Sequence, residues 1–155
     1  MILKELKAQG YRTVTVRELI QRYAYSDREI EFPGGIRFLG MRMTPPAIAA
    51  GEALYAGYYW YFPAAAQTEG LAVFVHINRT WGTLLRDDHM IDTFMATRDR
   101  VVIVPASARA GSYPVSVGLF HPAGPEKGQR LEPRTGLPVR RYAVRTPYEL
   151  RVLDK

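Results

Sequence analysis

The chain has 155 residues, 47% of them hydrophobic and 23% charged, with a formal net charge of +6 and no cysteine. These values describe one globular domain with a real core and space for a small appendage. They exclude disulfides, thiolate metal sites and a cysteine nucleophile, and no apolar run approaches the length of a bilayer crossing.

The excess positive charge favours an anionic partner or surface. Its densest group, Arg130, Arg134, Arg140, Arg141 and Arg145, reads as a solvated, loop-rich tail. With no nucleic-acid module or basic helix in view, no nucleic-acid partner is expected. Met1-Ile2-Leu3 runs at once into Lys4, Glu5 and Lys7, which leaves no apolar centre for a signal peptide. The expectation is a cytoplasmic protein or, for a piece of a longer exported protein, a periplasmic, envelope or secreted one.

Residues 2–9 carry Ile2, Leu3 and Leu6 on one side, as a short amphipathic helix does, and Gly10 is placed to cap it. Arg12–Val16 reads as a brief strand. Thr15 and Glu18 have capping-box spacing before a helical stripe of Val16, Leu19, Ile20 and Tyr23. The predicted organisation is therefore a helix-strand-helix appendage over residues 1–25 and a second domain over 26–155.

From Ser26 the pattern turns to strands. Glu29–Phe32 is followed by the Pro33-Gly34-Gly35 turn, and Ile36–Met43 ends near Pro45-Pro46. Leu54–Phe62 and Leu71–Ile77 are dense in aromatic and β-branched residues and read as a hairpin-like pair at the centre of the fold, with Trp60 in the core. Both faces of the first of these strands ask for cover. A hairpin to Thr83–Arg86 follows, residues 87–97 read as a loop, and Arg100–Pro105 reads as a compact buried strand. Gly111–Phe120 has the cleanest alternation, with Tyr113, Val115, Val117 and Leu119 on one face. Gly111 and Tyr113 resemble the start of a tyrosine corner. Residues 121–138 read as a long surface loop before the last strands, Tyr142–Arg145 and Glu149–Leu153. The expected class is mostly β: an antiparallel, immunoglobulin-like β-sandwich of about seven to eight strands with the short N-terminal α/β appendage.

Two resemblances accompany this reading. The segment Glu5 to Ile20, with its Gly10-Tyr11 turn, Thr13-Val14-Thr15-Val16 strand and Glu18-Leu19-Ile20 helix start, resembles the closing segment of polysaccharide deacetylase (NodB-like) domains. That family's Asp-Asp motif and His-x-x-x-His pair are not in this chain, and Asp87-Asp88 stands in the wrong context to replace them. From about Ile30 to Val152, Phe38-Leu39-Gly40, Tyr59-Trp60, Val73-Phe74-Val75-His76 and Tyr113 to Phe120 are similar to β-sandwich modules at the C-termini of bacterial envelope glycosyltransferases. The resemblances imply an accessory domain in an envelope-glycan setting, partnered by a catalytic deacetylase-like domain or by polysaccharide, and add no catalytic residue and no cofactor.

Each candidate site has two readings. Tyr55, Tyr59 and Tyr61 share a strand face; the rings would stack on sugars or be covered by another domain. Gly57 between them leaves space for a ligand or a neighbouring backbone. His76 reads as a hydrogen-bonded structural residue or as a metal ligand with Asp87, Asp88, His89 or Asp92, although no fixed ligand spacing supports a metal. His121 has no evident partner. No nucleophile elbow, phosphate loop or zinc-protease helix occurs. The expected function is a non-catalytic accessory domain that docks on a catalytic partner or binds glycan. The alternative is a small stand-alone metal-dependent carbohydrate-active enzyme.

Overall fold

The computed structural model describes residues 30–64, 66, 68–91 and 97–154. The proposed appendage, the deacetylase-like segment and Asp92 lie outside them. In chain order the strands are β1 (Ile30–Phe32), β2 (Ile36–Thr44), β3 (Ala47–Ala49), β4 (Ala53–Tyr61), β5 (Ala72–Asn78), β6 (Thr83–Arg86), β7 (His89–Met90), β8 (Thr97–Ile103), β9 (Gly111–Phe120), β10 (Val139–Arg140) and β11 (Ala143–Leu153).

Two sheets pack face to face. Sheet A has the order β1-β2-β4-β8, and sheet B the order β10-β11-β9-β5-β6, with β7 on β5 and β3 on β11. The mostly β sandwich is as expected. The strands outnumber the expected seven or eight, and the β3–β11 pair is parallel, which departs from an all-antiparallel plan.

Alternation explains which residues meet in the middle. Leu54, Ala56, Tyr58 and Trp60 of β4 face Val73, Val75 and Ile77 of β5 and Val115, Val117 and Leu119 of β9, all buried. Trp60 lies in the core as expected, its ring 4.9 Å from Phe38 and 6.0 Å from Phe32. Its indole Nε1 is buried without a hydrogen-bond partner.

The two aromatic strands are not a hairpin: β4 belongs to sheet A and β5 to sheet B. Each has one fully apolar face to bury, and the connection over residues 62–71 is long enough to cross the core instead of turning back on itself. The expected burial of both faces of β4 also fails, since Tyr55 and Tyr61 are exposed. The strand at Arg100–Pro105 is half-buried for a similar reason. It extends β8 at the edge of sheet A, so Val102 and Val104 point inward while Val101 and Ile103 face out.

Two local devices shape sheet B. The Tyr113 hydroxyl donates to the Arg109 carbonyl at 2.6 Å, as in a tyrosine corner. The two predicted last strands fuse into β11 across an irregularity between Arg145 and Glu149, where the buried Thr146 hydroxyl donates to the Val115 carbonyl at 2.8 Å. The long loop after β9 is tied down rather than free. Leu131 N–H donates to the Leu119 carbonyl, Glu31 N–H to the Arg134 carbonyl, and His121 lies 3.1 Å from Glu126, the partner the sequence did not reveal.

Candidate functional site

Antiparallel register puts four outward-facing residues in one row across sheet B. Arg86 of β6 pairs with His76 of β5, His76 with Ser116 of β9, and Ser116 with Arg145 of β11. At strand spacings of about 4.8 Å, the row runs for roughly 14 Å. It crosses the floor of a cleft of about 640 Å³. That size falls in the ordinary range of ligand sites.

The walls are two hairpins. On one side, the β5–β6 turn closes with the Arg79 N–H donating to the Gly82 carbonyl at 2.9 Å. Gly82 takes a φ of +87° there, a left-handed conformation that suits glycine. Trp81 stands at the tip of this turn, 90% exposed, between residues that line the cleft on both sides of it in sequence. On the other side, Arg141 and Tyr142 join β10 to β11 with φ of 50° and 62°. A two-residue turn with both central residues left-handed is normally built from Asn and Gly, so a strained backbone sits at the cleft's rim.

A stack of three groups fixes one end. Gly118 lies under the Phe74 ring, where any Cβ would overlap the ring. The Arg130 guanidinium sits 4.6 Å above that ring and donates to the Arg141 carbonyl at 2.9 Å. Arg130 is thereby held in one orientation by a cation–π contact and a backbone acceptor. On the floor, the Asn78 amide donates to the Ser116 hydroxyl at 3.1 Å and to the His76 carbonyl at 3.2 Å.

His76 is half-buried beside Phe74, and Asp88 lies 3.6 Å from its Nε2. Burial lowers its pKa; Asp88 opposes that shift, and Arg86 and Arg130 add to it. The imidazole is therefore neutral at pH 7. Serine, histidine and aspartate come together here, but not as a nucleophilic triad: no hydrogen bond joins His76 to Ser116, whose oxygen accepts from Asn78.

The residues of the metal reading point in different directions. His76 and Asp88 belong to the cleft side. Asp87 turns inward and is almost fully buried. It accepts from the Tyr58 hydroxyl at 2.9 Å and from Arg100 Nε at 2.6 Å. Tyr58 and Arg100 belong to sheet A, so Asp87 clasps the two sheets together. Burial, then the Asp87 charge, hold the Tyr58 hydroxyl far above its ordinary pKa. His89 stacks on Tyr58 and bonds through Nδ1 to the Asp87 carbonyl. Among the described residues, no group of three His, Asp or Glu is arranged to hold a metal ion.

Tyr55, Tyr59 and Tyr61 share the outer face of sheet A, on the opposite side of the molecule from the cleft. Tyr55 pairs with Val101 and Ala53 with Ile103; Tyr55, Val101 and Ile103 are 63%, 60% and 66% exposed. Tyr61 lies 5.7 Å under the Arg37 guanidinium. Sequence reasoning missed the cleft. It placed the arginines of residues 130–145 on a solvated tail and passed over Trp81, although a tryptophan between Arg79-Thr80 and Gly82-Thr83 is a recognisable exposed-tip signal.

The molecule is thus a two-sheet β-sandwich with a cationic, hydrogen-bonding cleft on one outer face. No protein-family model matches the chain, and no curated protein matches its sequence. Among solved structures, it is similar to the crystal structure of the C-terminal domain of Wzt, with a TM-score of 0.54 and 13% identity over 85% of this chain and 82% of that one. The likeness is one of fold, to a C-terminal β domain rather than to a deacetylase.

Proposed function

We propose that this chain is a non-catalytic accessory domain that holds glycan in the cleft of sheet B. The observation that carries this reading is Trp81, 90% exposed on the turn whose Thr80 and Gly82 line a cleft floored by His76, Asn78 and Ser116. A sugar ring needs a flat apolar surface for its C–H face and fixed polar groups for its hydroxyls, and this arrangement offers both. Likeness to a C-terminal domain supports an accessory role. The parent is read as a bacterial envelope or exported protein with a deacetylase-like catalytic domain. An upstream reading frame that lacks that domain's metal motifs would remove the parent from the proposal.

Titration of the chain with polysaccharide fragments tests the glycan reading. Binding that weakens about tenfold or more in Trp81→Ala, with the fold unchanged, supports it. A chain that binds no fragment ends it.

A second role has its own observation. The exposed Tyr55, Val101 and Ile103 form one apolar patch on sheet A, which suits a docking wall for the catalytic domain. Tyr55→Glu would then abolish association with that domain and leave glycan binding intact.

A further inference from the structure

The cleft's lining contains, among the described residues, six arginines and neither Asp nor Glu. The whole chain has 21 Lys and Arg against 15 Asp and Glu. The described residues outside the cleft carry no positive excess, so the cleft holds all of it. Among the described residues, none of the cleft arginines is in an ion pair, and Asp88 lies 3.6 Å from His76. A concave surface of one sign focuses its field on whatever enters.

Resting on the glycan reading above, we propose that the ligand is an acidic polysaccharide, whose carboxylate or phosphate groups are taken by the row Arg86–Arg145 and by Arg130. The strand register carries the inference. Arg86 and Arg145 lie at the two ends of one cross-strand row, three strand spacings or roughly 14 Å apart, with the neutral His76 and Ser116 between them. This pattern fits a chain with anionic groups at intervals and hydroxyls between them. Arg130 adds a third guanidinium, already oriented by Phe74 and the Arg141 carbonyl, so little side-chain freedom is lost when it engages an oxyanion. Guanidinium forks match carboxylate and phosphate geometry with paired hydrogen bonds. Trp81, on the turn beside the cleft, supplies what a bare anion site lacks, a stacking surface for the sugar between the charges.

The test is calorimetric titration of the whole chain at low and at high salt. The probes are a polygalacturonate oligomer, a phosphate-bearing glycan, neutral dextran and mannan oligomers, and a single-stranded oligonucleotide. The expected result is that at least one acidic glycan binds about tenfold or more tightly than the neutral ones, with affinity falling as salt rises. The tighter of the two acidic probes identifies the anionic group. Arg86→Ala and Arg145→Ala, at exposed positions, should each weaken acidic binding about tenfold and leave the melting temperature unchanged. Equal or tighter binding of the neutral oligomers overturns the acidic assignment and leaves the glycan reading standing. No binding to any glycan ends both. An oligonucleotide that binds as tightly as the best glycan overturns the assignment in favour of a general polyanion site.

Discussion

The two outer faces of the sandwich are made from the same kind of strand and have opposite characters. Sheet A turns Tyr55, Val101 and Ile103 outward as an apolar patch, with Arg37 and Arg42 elsewhere on that face; sheet B turns arginine, histidine and serine outward beneath two raised hairpins. The difference lies in the connections between strands. Sheet B is extended by two hairpins that stand up as walls, whereas sheet A ends at the edge strands β1 and β8. A cleft needs walls as well as a floor, and only one face has them among the described residues.

Asp87 decides whether the two faces act as one unit. Asp87→Ala leaves the Tyr58 hydroxyl buried without its acceptor and Arg100 without its counter-charge. Because Arg100 is partly solvated, the expected loss is about 3 kcal/mol in denaturant unfolding, at the low end for a broken buried pair. Both faces should be lost in one transition. Two separate transitions would mean that the sheets unfold independently once the Asp87 clasp is removed.

Gly118→Ala strikes sheet B alone. Its Cβ displaces the Phe74 ring and with it Arg130, at an expected cost of about 2 kcal/mol in stability and weaker binding of the acidic glycan. Near-normal stability would show that Phe74 can move aside.

Trp81→Ala and Tyr59→Ala separate the faces functionally. The first should lose about 1–2 kcal/mol of glycan affinity by titration, and the second none. The reverse outcome would move the glycan site to sheet A.

At the β10–β11 turn, replacing Arg141 and Tyr142 with Asn and Gly relieves two left-handed non-glycine residues. Stability should rise by about 1 kcal/mol, read as a higher melting temperature. No gain would mean that Arg141 and Tyr142 contribute contacts that offset their strain.

The smallest effect is a pH dependence from sheet B. His76 has a folded pKa below the ordinary 6.5, because burial and the nearby Arg86 and Arg130 outweigh Asp88. Around and below 6.5 the unfolded chain binds the proton more readily. Stability is therefore full above that value and falls as the pH drops toward the folded pKa. His76→Gln should flatten this slope in pH-dependent melting. An unchanged slope would assign it to other groups.

Alternation alone made the inner faces legible. Tyr113, Val115, Val117 and Leu119 are periodic, and so are the buried residues of β4, because a two-residue period has one meaning in a strand. Partner choice was not legible. Nothing local states that β4 and β5 cross the core, since that depends on where the other strands leave open edges. The cleft was hidden for the same reason. Arg86, His76, Ser116 and Arg145 are far apart in sequence and become neighbours only through the register of four strands. Arg130 is positioned by Phe74 and Gly118, a contact that no spacing rule announces. Asp87 and Asp88 show the finest limit: adjacent in the chain, they serve opposite sides of sheet B.

The chain's two tryptophans sit at opposite extremes, Trp60 4% exposed in the core and Trp81 90% exposed on the turn beside the cleft. They therefore make an internal pair of optical reporters. A buried indole emits at shorter wavelength and is shielded from iodide or acrylamide, while an exposed one emits further to the red and is readily quenched. With no label attached, the red component should follow occupancy of the cleft and the blue component should follow unfolding, so that a single fluorescence spectrum separates a ligand that binds from one that merely stabilises.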